Sequence, residues 1–169
     1  TYNWNSIKNE LHILATHKNS KDDVLKFLVA PVRLEFLTAL AIKSKLPTVI
    51  VKPNYSCDDT GLPTSTAGGN KGDIECFENG NGILVEVTMA EGRTQTMMEV
   101  WPIERHLQSF IAENDIPCQC IFIAPTIYGD SKRQIAFVKF TNNLTIRDYA
   151  IDDMTEYLEK EKQLYAENA

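Results

Sequence analysis

Positive charge is scarce: 17 Lys and Arg face 23 Asp and Glu, leaving a net charge of −6 over 169 residues. Modules that hold nucleic acid unaided usually carry a basic surface, because neutralising phosphates supplies most of their affinity. This chain is therefore not expected to grip DNA or RNA tightly by itself. The deficit does not weigh against catalysis, since metal sites are built from carboxylates. Long hydrophobic runs are also missing. None reaches the roughly 18 residues that span a bilayer, and no signal-peptide pattern opens the chain, so the reading is a soluble intracellular protein without a membrane partner. The four cysteines show no zinc spacing; Cys118 and Cys120 share one face of an expected strand and read as reduced core thiols. Gly68-Gly69 lacks the Lys-Ser/Thr that completes a phosphate loop, and no helix-turn-helix or zinc-finger pattern occurs. Internal repeats, low-complexity tracts and a dividing linker are absent. Thr1 in place of Met suggests a fragment or a processed piece.

What is present is enough for one domain over residues 1–169, at 43% hydrophobic residues, with one core. Residues 2–18 and 21–30 form a helical lead-in, with Trp4, Ile7, Leu11 and Leu14 at helical spacing. Pro31 opens a stronger helix over 31–45. A short strand is expected at 48–51, and 53–72 reads as a long loop, of a length that usually serves a function. Strands near 73–78 and 83–89 follow, then a helical region over 94–113 interrupted at Pro102. A buried strand at 118–124, a helix near 131–141, a strand near 144–150 and a helix near 152–165 complete the chain. Strands alternating with helices give an α/β class: a mixed sheet flanked by helices, with a hairpin as its antiparallel part.

That hairpin is the most informative stretch. Asn79-Gly80 between alternating strands is a strong hairpin signal, because both turn residues need positive φ. The turn pairs Glu78 with Asn81, Cys76 with Ile83, and Asp73 with Glu86, the last pair about 4.5–5.5 Å apart at Cβ. Ile74, Cys76, Ile83, Val85 and Val87 then share an apolar face, which favours this register over the alternative turn at Asn81-Gly82. Two acids opposed across a ladder repel unless a cation sits between them, and hard oxygen ligands suit Mg²⁺. The plainer reading is two acids on a solvated strand face.

Further acids flank the hairpin. Glu35 lies among Leu34, Phe36, Leu37 and Leu40; it is either part of a site or a solvent-facing helical Glu beside Arg33 or Lys43. Gln95, Glu99, Pro102 and His106 fall at i, i+4, i+7 and i+11, one stripe of a helix unless Pro102 restarts it. His106 reads as a phosphate contact or proton carrier, or simply as a helix histidine beside Arg105. Trp101 reads as a packing anchor, and His12 and His17 as surface residues.

An Asp-x12-Glu spacing with apolar residues around the second acid is the skeleton of the PD-(D/E)xK nucleases. More narrowly, the chain resembles the AlwI kind of type IIS restriction and nicking endonucleases. The residues that carry the resemblance are Arg33-Leu34-Glu35-Phe36-Leu37-Thr38, Pro53-Asn54, Gly61-Leu62-Pro63-Thr64-Ser65, Ala67 to Glu75, Val85-Glu86-Val87-Thr88, Gly92-Arg93-x-Gln95, and Glu99-x-x-Pro102-Ile103-x-Arg105-His106-Leu107. It covers roughly residues 31–165. It implies a restriction-endonuclease-like fold and a prokaryotic cytoplasmic enzyme that hydrolyses the phosphodiesters of double-stranded DNA. Glu35, Asp73, Glu86 and Glu99 are then the active-site acids, joined by Gln95 and His106. Asp73, Glu86 and the Val87 carbonyl hold Mg²⁺, or Mn²⁺ in its place, and Glu35 and Glu99 act as outer ligands, through water, or as groups that position the nucleophile. Sequence recognition belongs to another domain or a large subunit, with a second nuclease subunit a further expected partner.

One departure stands out. The Lys of the ExK motif is replaced by Thr88, which supplies no cation. Gln95 is the nearest candidate for that role, with Arg93, Arg105, His106 or Lys71 able to contribute; the hairpin register sets Lys71 opposite Thr88. Two rival classes remain: a catalytically silent assembly module on a nuclease fold, and a metal-dependent phosphohydrolase acting on RNA or small phosphates.

Overall fold

Asn3 accepts the Ser6 N–H at 2.9 Å and starts α1 (Trp4–Ala15), which buries Ile7, Leu11 and Leu14. The structure, a computed structural model, describes residues 2–69 and 71–169; Thr1 and Asn70, the latter inside the Ala67–Glu75 motif, lie outside it. The expected helix over 21–30 is a single 3-10 turn, Leu25–Phe27. Asp22 captures the Val24 and Leu25 N–H groups, and Val29 must be extended before α2 (Ala30–Lys45) begins with Pro31 in its first turn. Strand β1 (Ile50–Pro53) follows, two residues later than expected. The long loop holds a small two-stranded sheet, β2 (Ser56–Cys57) with β3 (Pro63–Ser65).

Asn79 and Gly80 both take positive φ, 49° and 79°. The hairpin of β4 (Ile74–Glu78) and β5 (Asn81–Val87) accordingly closes in the expected register, with Glu78 opposite Asn81 and Ile74 opposite Val85. The ladder stops at Ile74, so Lys71 is not paired with Thr88. Gly72 is required by close approach: a Cβ there would lie 2.2 Å from Leu84 Cδ1.

The region over 92–114 is one continuous helical rod. It comprises α3 (Gly92–Thr94), a π turn (Gln95–Val100) and α4 (Trp101–Asn114). Pro102 does not break it. Trp101 N–H reaches back five residues to the Thr96 carbonyl, and this widened turn makes room for the proline ring that would clash in a straight α-helix. Strand β6 (Cys118–Ala124), α5 (Gly129–Asn142), β7 (Ile146–Ala150) and α6 (Ile151–Lys160) complete the chain. The terminal helix stops short of residue 165. Glu161 is extended, Leu164 enters the core, and Glu78 accepts the Leu164 and Tyr165 N–H groups.

The main sheet runs β1-β4-β5-β6-β7, antiparallel up to β5 and parallel from β5 to β7. It is covered on both faces, as parallel strands require. Ile74, Cys76, Ile83, Val85 and Val87 join Ile121 and Ile123 under α1, α2 and α6, while Leu84, Cys120 and Phe122 pack with Ile103 and Leu107 of α4 and Ile135 of α5. The second face is thus also core, and the plainer reading of two acids on a solvated strand face does not hold. All four cysteines are free thiols, Cys76 and Cys120 buried. Trp101 is 51% exposed, so it is not the packing anchor its sequence suggested. Among the described residues no helix is long and apolar enough to cross a membrane.

Candidate active site

Strand β5 ends at Val87 and antiparallel β4 begins at Ile74, so Asp73 and Glu86 arrive at the same end of the sheet. Asp73 is fixed there from both sides. Its Oδ2 accepts the Val87 N–H at 2.8 Å, and its own carbonyl accepts the Asn54 N–H at 2.9 Å. Asn54 also donates its side-chain amide to the Gly72 carbonyl and to Glu75, which explains why Pro53-Asn54 belongs to the motif set.

Helix α2 presents Glu35 to the same place. The side chain is 3% exposed, and Oε2 accepts the Ala67 N–H at 3.2 Å. It pairs with neither Arg33, which donates to the Leu28 carbonyl, nor with Lys43. From the other side α4 brings His106, whose Nδ1 is 2.7 Å from Glu86 Oε1 and whose Nε2 is 3.3 Å from the Gly69 carbonyl. These groups, with Glu99, Thr88 and Lys71, line one cleft of about 440 Å³.

Gln95 is not brought to that cleft. The π turn rotates it off the stripe of Glu99, Pro102 and His106, and its buried amide is bonded to the loops after β5 and β6. Lys71 lines the wall as an exposed residue. His12 and His17 are surface residues beside Asp152 and Glu91. Two contributors lie in the Ala67–Glu75 stretch of the motif set but were given no role from sequence: the Ala67 N–H and the Gly69 carbonyl, both backbone groups of an irregular loop.

The electrostatics follow from burial. Desolvation is the main reason the Glu35 carboxyl is pushed up to about 7; the Ala67 N–H and the Asp73 carboxyl beside it pull the other way. Asp73 is held well above the usual carboxylate range, first by burial and then by repulsion from Glu86 and Glu35. Glu99 is raised by burial, against the pull of the Thr88 hydroxyl. The Glu86 bond raises His106. Among the described residues, the one ion pair these four acids make is with that histidine. No three His, Cys, Asp or Glu side chains among the described residues form a ready-made metal cage.

A mixed sheet wrapped by helices, with acids gathered where a central hairpin meets a parallel strand, defines the restriction-endonuclease class of fold. The chain belongs to the AlwI restriction endonuclease family, whose family model matches residues 2–157. The match thus starts well before residue 31 and takes in the lead-in helix α1. Among solved structures, the small subunit (R.BspD6I2) of the heterodimeric restriction endonuclease R.BspD6I is similar at TM-score 0.77 and 20% identity, over 97% of this chain and 83% of that one. Restriction endonuclease FokI is similar at TM-score 0.57 and 12% identity; bound to DNA it gives 0.60 and 12%. This chain spans about a third of FokI, 32% and 31% in the two structures. At these identities the likeness is one of fold. Among curated protein sequences, nothing matches.

Proposed function

We propose that this chain is the catalytic part of a metal-dependent DNA endonuclease of the PD-(D/E)xK type, a type IIS restriction or nicking enzyme of the prokaryotic cytoplasm. One observation carries the reading: Glu35, Asp73, Glu86 and Glu99 line one cleft, and the ion pair they make is with His106 rather than with Lys or Arg. Buried carboxylates without compensation are costly, and a divalent cation relieves them. Asp73, Glu86 and the Val87 carbonyl would hold it, with Glu35 further out. That set is small, which suits Mg²⁺, an ion that usually takes one or two carboxylates and keeps several waters; Mn²⁺ should substitute. When bound, such an ion supplies Lewis acidity toward a phosphate oxygen and a more acidic water.

The residues of the chain prepare the rest. The Val87 N–H orients Asp73, His106 orients Glu86, and the Ala67 N–H orients Glu35. Burial holds the Glu35 carboxyl above the usual carboxylate range, which favours its accepting the proton of attacking water. Thr88 offers no charge at the position of the usual lysine, and His106 is the basic side chain paired with the acids, 2.7 Å from Glu86.

Affinity and sequence choice for double-stranded DNA are assigned to a recognition domain or large subunit, because a chain of net charge −6 gains little from counterion release. The heterodimer that R.BspD6I forms is consistent with such a partner, and a second nuclease subunit would serve the other strand. The test is nicking of supercoiled plasmid with Mg²⁺ or Mn²⁺, with EDTA and Asp73→Asn as controls. Slow, salt-sensitive nicking lost in both controls is expected. No nicking at high protein concentration, or nicking that survives Asp73→Asn, would point to a silent assembly module or a contaminant; cleavage of RNA or small phosphates in preference to DNA would point to a phosphohydrolase.

A further inference from the structure

Gln95 is 0% exposed, and its amide is almost fully used. Nε2 donates to the Ala90 carbonyl at 3.1 Å and to the Thr126 carbonyl at 2.7 Å, while Oε1 accepts the Tyr128 N–H at 2.8 Å. Ala90 belongs to the loop that leaves β5, and Thr126 and Tyr128 to the loop that leaves the neighbouring parallel strand β6. One side chain thus ties together both loops at the end of the sheet that carries the acids. The β5 loop is also braced from within, because the Ala90 N–H donates to the Thr88 hydroxyl at 3.0 Å. Ala90 is therefore held at one backbone group by the residue that replaces the usual lysine, and at the other by Gln95.

Gln95 is also the first residue of the π turn, and the next residue is anchored too: Thr96 Oγ1 lies 2.7 Å from Ser131 Oγ of α5. The start of this turn is fixed to the sheet-end loops, and Glu99, which lines the cleft, leaves from the same turn. Single-turn π insertions of this kind are frequent at functional sites. We infer that Gln95 is a positioning residue which sets where Glu99 stands in the cleft, without itself meeting the phosphate. The inference rests on the reading of that cleft as a nuclease site.

The chemistry of the side chain is specific. Two carbonyls and one N–H require two donors and one acceptor on a planar group, which glutamine provides and glutamate does not. Gln95→Met keeps the length and removes the bonds; Gln95→Glu turns an oxygen toward a carbonyl oxygen.

A double-mutant cycle with Glu99→Gln tests the assignment. Gln95→Met should lower the single-turnover nicking rate by roughly 100-fold, the scale of a misplaced group, with Mn²⁺ affinity unchanged by calorimetry. In the Glu99→Gln background the same change should cost less than about threefold, because the group it positions is already gone. Equal losses in both backgrounds, or lost Mn²⁺ binding, would overturn the inference. If the wild-type chain does not nick, the nuclease reading fails by itself, and hydrogen exchange decides this one. Gln95→Met should then deprotect the Tyr128 amide and the amides of 99–101 while those of β5 and β6 stay protected. Unchanged exchange, or uniform deprotection, would overturn it.

Discussion

The His106 ring bridges Glu86 and the Gly69 carbonyl, at 2.7 Å and 3.3 Å, so one imidazole ties the acid on β5 to the loop over the cleft. A carbonyl only accepts, so Nε2 carries the proton that reaches Gly69, and the bond to Glu86 raises the imidazole above its ordinary value. Replacing His106 by Ala should cost about 10- to 100-fold in nicking or in metal affinity, the usual scale for a partner that orients a ligand carboxylate. Titration with Mn²⁺ and single-turnover nicking check this. Wild-type values for both would remove His106 from the site.

The acid cluster makes the stability of the metal-free chain pH-dependent with a definite sign. Burial raises Glu35 from 4.5 to about 7, so between those values the folded chain holds more protons than the unfolded one. Stability is then full below about 4.5 and is lost as pH rises through about 7. Asp73, also raised, and His106, raised by its Glu86 bond, contribute in the same direction. Melting in EDTA should therefore fall from about pH 5 to about pH 8, and Mg²⁺ should recover most of the loss at the alkaline end. A melting temperature that rises over this range without metal would show that the cluster is not under charge stress.

Glu35→Gln separates chemistry from folding. Gln keeps an acceptor for the Ala67 N–H and removes one charge from the cluster. Metal-free melting near pH 8 should equal or exceed wild type, while nicking falls by about 100-fold or more, the range for a lost proton acceptor. A large drop in melting temperature would make Glu35 a structural acid instead.

Gly72→Ala should destabilise the fold by about 1–3 kcal/mol, since the new methyl meets a buried leucine that has nowhere to go. Leu84 is 1% exposed and its Cδ1 lies 2.2 Å from the built position. Urea melts measure the loss, and in a Leu84→Ala background, itself destabilised by the lost leucine, the added cost of Gly72→Ala should shrink. An unchanged midpoint for Gly72→Ala would mean that the Leu84 side chain swings aside and the close approach is not required.

Turn chemistry made the hairpin legible: Asn79-Gly80 demanded positive φ, and the apolar alternation then left one register that brought Asp73 to Glu86. Capping and long-range contact were less visible. The apolar spacing of 21–30 suggested a helix, but Asp22 closed a short turn and Val29 had to be extended ahead of Pro31. The stripe from Gln95 to His106 assumed uniform helical rotation, and the π turn removed Gln95 from it while leaving Glu99 and His106 in place. The second core face was hidden because Glu75 and Glu86 broke its pattern. The clasps from Ala67 and Gly69 are backbone groups, a carbonyl that every residue carries and an N–H that every residue but proline carries.

The cleft is shared between two very different parts of the fold. Glu86 sits on β5, which is paired on both edges and covered on both faces, so its amides should exchange on the timescale of global unfolding. Gly68 and Gly69 lie in an exposed irregular loop, whose opening costs far less. Warming short of the melting transition should then release the hold on Glu35 and His106 while Asp73 and Glu86 keep their places. On the proposed nuclease reading such a chain fails gradually: it would still bind a cation at temperatures where it has already stopped turning over.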